Sequence, residues 1–120
     1  MNFYQYQVEA LRTARMMPSL TENLLHAQIG LCTEVGEFAT EVKRLFAYRK
    51  ELTPEMRAHM AEELGDVLWY IAVAADTLNV SMTEMAEGNI AKLRKRYPEK
   101  YSDALAEARL DKQGASPRES

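Results

Sequence analysis

Two short stretches carry the chemistry of this chain: Thr33 to Phe38, "TEVGEF", and Glu62 to Val67, "EELGDV". Each encloses two carboxylates three residues apart: Glu34 and Glu37, then Glu63 and Asp66. On a helix, at about 100° per residue, that spacing places both acids of a pair on one narrow strip. Glu41 prolongs the first strip and Tyr70 the second. Each strip edges an apolar stripe, through Val35 and Phe38 and through Leu64 and Val67. If the two stripes pack, four carboxylates line one crevice within a few ångströms. Like charges so close are costly unless a cation lies among them. Oxygen ligands of this kind favour hard divalent ions, magnesium, manganese or calcium. No glutamate has a histidine three residues later, so the Glu-x-x-His ligand pattern of bundle di-iron sites is absent. His26 and His59 lie outside both units and read as structural or surface residues, with His26 the better placed to reach the site.

The same spacing recurs at Glu84 and Glu87, where the ordinary reading holds. These acids open a helix, favour its dipole, and let Glu84 complete a capping box with Ser81. The two main units differ because each also contains a mid-helix glycine, Gly36 or Gly65. Glycine costs roughly 1 kcal/mol there against alanine. Close approach of another helix is the expected compensation.

A second cluster is basic. In "NIAKLRKRYPEKY", Asn89, Lys92 and Arg96 share a helix face, while Arg94 and Lys95 only stabilise the last turn. An acid-bound metal beside lysine and arginine is the composition of a polyphosphate site.

These residues sit on predicted helices. Helix 1 runs from Phe3 to Met16, ahead of Pro18. Helix 2, capped by Ser19 or Thr21, extends to Tyr48. Thr53 and Pro54 form an N-cap and first-turn pair opening helix 3, which reaches Leu78 with Asn79 as terminator. Helix 4 starts after Ser81 and ends before Pro98. Ser102 to Lys112 forms a short fifth helix. Residues 1–113 make one domain, and 114–120, "GASPRES", read as a disordered tail. Apolar stripes run through positions 24, 31, 35, 38, 42 and 45, and through 56, 60, 64, 67, 71, 74 and 78. Helix 3 is apolar off its stripe as well, at Leu68, Trp69, Ala72, Val73 and Ala75, so self-association is expected. Cys32 reads as a small core residue. The fold class is all-α, a four-to-five-helix bundle, oligomeric.

Composition narrows the partners. The 120 residues carry a net charge of −3, which argues against a nucleic-acid binder. One cysteine allows no internal disulfide and fits a reducing cytosol. The N-terminal residues lack the apolar run of a secretion signal. The longest apolar run, Val67 to Ala75, is too short for a membrane span.

The segments "GLCTEVGEFATEVKR", "EELGDVLWYIAVAA" and "NIAKLRKRYPEKYS" resemble the MazG-like all-α nucleoside triphosphate pyrophosphohydrolases. Tyr6-Gln7 and "LLHAQIGL" fit as well, and the resemblance spans residues 4–102. It implies Glu34, Glu37, Glu63 and Asp66 as magnesium ligands, with Mn²⁺ a substitute. It also implies Asn89 and Lys92 as phosphate contacts, and Tyr70 as the aromatic after the final acid. Activity would then be hydrolysis of a nucleoside or deoxynucleoside triphosphate to monophosphate and pyrophosphate, by dimers or tetramers in the cytoplasm. On that reading Glu34, Glu37, Glu63, Asp66 and Lys92 are the catalytic set. Arg96 supports Lys92, Tyr70 and Trp69 border the nucleoside, and Glu34 or Glu62 orients the attacking water. Two other readings fit the residues: a non-catalytic helical interaction module, and a carboxylate-metal hydrolase of another phosphorylated small molecule.

Overall fold

A computed structural model describes residues 1–112. They form five helices and no strand: α1 (Phe3–Leu11), α2 (Leu20–Ala47), α3 (Pro54–Thr77), α4 (Met82–Arg96) and α5 (Asp103–Ala108). The all-α expectation therefore holds, while the tail at 114–120 and the domain's end at 113 lie outside the described residues. The chain divides into two compact units, one through Met82 and one from Thr83 onward.

The first unit contains α1, α2 and α3, with α2 and α1 each packed against α3. The helix starts follow local capping chemistry. The Asn2 side chain accepts from the Gln5 backbone N–H while the Asn2 backbone N–H donates to the Gln5 side-chain oxygen, closing a capping box. Ser19 caps α2 through the Glu22 N–H, and Thr53 caps α3 through the Met56 N–H. The ends of α2 and α3 share one design. Arg49 and Asn79 adopt left-handed backbone, with φ of 50° and 58°. The next residues donate back five positions, Lys50 to the Leu45 carbonyl and Val80 to that of Ala75.

α1 ends at Leu11 and not at Met16, and the reason is tertiary. The Ala10 carbonyl accepts from the Thr13 N–H, the Thr13 hydroxyl and the Trp69 indole N–H. An oxygen so occupied cannot continue the i→i−4 ladder through Ala14, whose N–H turns to Leu11 instead. Trp69 also donates to Thr13 Oγ1, at 3.0 Å. Gln7, buried on α1, fastens the segment that follows α3. Its amide donates to the Val80 carbonyl and accepts from the Met82 N–H at 3.0 Å.

The interior of this unit is built from small residues: Ala10, Ala27, Gly30, Ala72 and Ala75, with Val73 and Met82. Small residues let helix axes approach, and they rotate the helices away from the expected packing. The inward face of α2 passes through Ala27, Gly30, Glu34 and Glu41. Val35 and Leu64, expected inside, are each 50% exposed. Val42 and Leu78 are exposed too, whereas 24, 31, 38 and 45 are half-buried as expected. The acids thus lie in the seam and not along its edge.

The glycine expectation is corrected in the same way. A Cβ at Gly36 or Gly65 would meet nothing within 4 Å, so no helix among the described residues approaches there. The close approach occurs at Gly30, where a Cβ would fall inside the Tyr70 ring. Cys32, expected in the core, is exposed.

The second unit holds α4, beyond its first residue, and α5. Ser102 caps α5 through the Leu105 N–H. This helix stops at Ala108, short of the predicted Lys112, because Arg109 turns left-handed with φ 49°. Asp111 then turns back to receive Arg96 at 2.7 and 3.1 Å.

Candidate metal centre

Successive turns of α2 present Glu34, Glu37 and Glu41, and those of α3 present Glu63, Asp66 and Tyr70. Three of these acids converge. Glu34, Glu37 and Glu63 each offer a carboxylate oxygen, and the three oxygens lie within 4.8 Å of one another. One oxygen of Glu34 and one of Glu63, Oε2 in both, is buried with no hydrogen-bond partner. Burial holds the Glu34 carboxyl above its ordinary range, and the charges of Glu37 and Asp66 push the same way. Glu63 is raised by burial first, then by Glu37, Glu34 and Asp66. Buried carboxylates without donors are expensive. A small divalent cation would satisfy these two, with the exposed Glu37 as a third ligand, and the all-oxygen donor set suits magnesium or manganese. The residues therefore fit the metal that their pattern implies.

Asp66, the fourth expected ligand, is exposed and stands outside the trio. Its charge still reaches Glu34, Glu63 and Tyr6, whose hydroxyl is raised by burial and then by Asp66. Tyr6 thus joins the surroundings of the acids from α1, which nothing in the spacing of α1 signalled. Glu62 is exposed and apart from the trio.

The two histidines stand in different surroundings. His26 stands edge-on to Tyr70, with ring centroids 5.9 Å apart. His59 is the one beside the acids, its Nδ1 3.8 Å from Glu63 Oε1 and 4.0 Å from Glu41 Oε1. The missed signal is its spacing of four residues before Glu63, which puts both on one helix face. Tyr70 packs its ring over Gly30 and against Trp69, at 4.9 Å between centroids. Trp69 spends its indole N–H on α1, so its evident work is joining two helices.

In the second unit, Asn89 and Lys92 are exposed on α4. Arg96 differs from its expected role as a free cation. Its guanidinium forks onto Asp111, whose side chain is 1% exposed. That bond holds the arginine's pKa up and the aspartate's below the usual carboxylate range.

An all-α chain with a carboxylate trio in a helix seam has the residues that a hard divalent cation would need. The family model of the MazG nucleotide pyrophosphohydrolase domain matches residues 21–101, and the chain belongs to this family. It is 37% identical over 76 residues to the Gene 37 protein of Mycobacterium phage L5, covering 62% of this chain and 67% of that one. It is 29% identical over 72 residues to the uncharacterized protein YpjD of Bacillus subtilis strain 168, covering 60% and 65%. No solved structure matches. No helix among the described residues is long and apolar enough to cross a membrane.

Proposed function

We propose that this protein hydrolyses nucleoside or deoxynucleoside triphosphates to the monophosphate and pyrophosphate, with Mg²⁺ as cofactor and Mn²⁺ as its substitute. The observation that carries this reading is the trio Glu34, Glu37 and Glu63 with its buried, unpartnered oxygens, in a chain of the MazG family. When bound, a divalent ion supplies positive charge to the phosphate oxygens and lowers the pKa of water. The three glutamates hold the ion, and Asp66 extends the acidic surface beside them. Water is added across the anhydride between the α and β phosphates, its atoms divided between monophosphate and pyrophosphate. Glu62, outside the trio, keeps a free carboxylate able to accept a proton from that water; Glu34 can do so only with an oxygen not given to metal. Lys92 and Asn89 are the proposed phosphate contacts of the second unit. Arg96 acts there by holding Asp111. Tyr70 borders the nucleoside, with His26 packed against its ring.

The active form is a homo-oligomer, dimer or tetramer, in the cytosol. Leu25, Ile29, Val35 and Leu64 are all at least half exposed, more apolar surface on two facing helices than a monomer usually leaves wet. Light scattering on the purified chain tests this, and a monomer at micromolar concentration ends it.

The activity is tested with a panel of ribo- and deoxynucleoside triphosphates, nucleotide sugars and sugar phosphates, with Mg²⁺ and both products identified. Monophosphate plus pyrophosphate from triphosphates alone supports the proposal. Release of orthophosphate, or turnover only of the other substrates, overturns it.

A further inference from the structure

The second unit carries an aromatic pair to which no role has been given. Tyr97 follows α4 directly, and its N–H donates to the Leu93 carbonyl at 2.7 Å, continuing the helical ladder. The Tyr101 ring packs against it, with centroids 5.2 Å apart and planes inclined by 48°. Tyr101 is 64% exposed, yet it is tied down. Its hydroxyl donates to Asp103 Oδ1 at 2.6 Å. Asp103 is the first residue of α5, whose start Ser102 caps. The Arg96–Asp111 fork closes the loop that carries both rings. An exposed ring held at its hydroxyl and against a neighbour is ordered before any ligand arrives. Such a ring gives a flat contact surface at low cost in entropy.

Beside Tyr101 lies an open cavity of about 320 Å³. Pro98, Tyr101 and Leu105 supply its apolar lining, and Glu99, Lys100 and Ser102 its polar lining. That volume is at the lower end of what small-molecule sites take, and suits one flat heterocycle better than a whole nucleotide. Its place on the chain matters as well. Tyr97 is five residues beyond Lys92 and eight beyond Asn89. At about 1.5 Å per residue it stands about 7.5 Å and 12 Å further along the axis, and about 80° round from Asn89. A phosphate chain held by Asn89 and Lys92 thus ends within a ribose's reach of the tyrosines. Tyr70, the aromatic of the first unit, already has its ring engaged by Gly30, His26 and Trp69.

We propose that Tyr101, backed by Tyr97, is the stacking platform for the nucleobase of the substrate, with the phosphates toward Lys92 and Asn89. The proposal rests on the triphosphate reading, from which it takes the phosphate contacts, and it adds where the base sits.

The test uses the full chain in two measurements. Steady-state kinetics on the best triphosphate compare the parent, Tyr101→Ala and Tyr101→Phe, each also inhibited by inorganic tripolyphosphate, which has the phosphates and no base. Nuclear magnetic resonance of the parent with ring-labelled tyrosine follows added adenosine monophosphate, and depends on no variant's folding; Tyr101→Phe serves only to assign the signal. The expected result is that Tyr101→Ala raises KM at least about fivefold, that Tyr101→Phe recovers most of that loss, and that tripolyphosphate inhibits all three alike. Adenosine monophosphate should move the Tyr101 ring signals of the parent, and tripolyphosphate should not. A parent that turns over triphosphates, with KM unmoved in Tyr101→Ala and the Tyr101 signals unmoved by the monophosphate, overturns the platform and leaves the activity standing. Equal weakening of triphosphate and tripolyphosphate in Tyr101→Ala also overturns it, since the ring would then be structural. A parent without turnover whose Tyr101 signals still move with the monophosphate would instead sink the activity and keep the platform.

Discussion

Glu34 of α2 and Glu63 of α3 share one seam, each with an Oε2 that is buried and has no hydrogen-bond partner. Two unsatisfied acid oxygens in one place store repulsion in the metal-free protein. This relationship decides the sign of the first prediction.

Glu37→Gln should abolish turnover, with a loss of kcat/KM of about a hundredfold or more, without harming the fold. In chelator the variant should melt at the same temperature as the parent or higher, because one of three crowded charges is gone. The parent should gain stability on adding Mg²⁺, as any ligand selective for the folded state requires. The variant should gain little. Thermal melts in chelator and in millimolar Mg²⁺ check this, and a large loss of metal-free stability would mark Glu37 as structural.

Gly30→Ala and Gly36→Ala should move stability in opposite directions. Alanine in a helix interior is ordinarily favoured over glycine by roughly 1 kcal/mol, and the flank at 36 is open. At 30 the new methyl would occupy the Tyr70 ring position, an overpacking of the kind that costs about 1–3 kcal/mol. Denaturant titration of both variants reads the two signs. A stabilised Gly30→Ala protein would mean that the Tyr70 ring does not pack against α2 at Gly30.

Lys92→Ala should lower kcat/KM on the best triphosphate by about a hundredfold, while Arg94→Ala leaves it nearly unchanged. Both side chains are exposed cations on α4, but they point about 200° apart around the helix. Equal losses would mean that the wrong face of α4 has been assigned to the phosphates. Arg96→Ala should differ from both and lower the melting temperature, because it strands the buried Asp111 carboxylate.

The Arg96–Asp111 pair also predicts a pH dependence. The folded-state pKa of Asp111 is lowered from its ordinary 3.8 by the arginine. Its contribution to stability is therefore present above 3.8 and is lost as pH falls through the lowered value. Asp111→Asn should destabilise the chain at neutral pH and bring its melting temperature closer to the parent's as pH drops below about 3.8. Parallel melting curves for parent and variant across that range would remove the pair from the stability of the second unit.

Several features were determined by sequence alone, because they depend on neighbours a few residues apart. The caps at Ser19 and Thr53, the first-turn Pro54 and the left-handed Asn79 follow from local backbone chemistry. Three-residue spacing likewise puts Glu34 with Glu37, and Glu63 with Asp66, on single strips whatever the helices pack against. What spacing cannot contain is the rotation of each helix about its own axis, and tertiary packing decided that. Ala27, Gly30, Ala72 and Ala75 permit a close seam, and burying them turns the acids inward while leaving Val35 and Leu64 wet. That rotation brought Glu63 together with Glu34 and Glu37, set His59 beside Glu63 and Glu41, and made Gly30, not Gly36 or Gly65, the point of contact. The end of α1 and the pairing of Arg96 were decided the same way, by Trp69 and Asp111, partners 59 and 15 residues distant in sequence. Local rules name the groups able to do chemistry; burial of small residues against one another selects which of them meet.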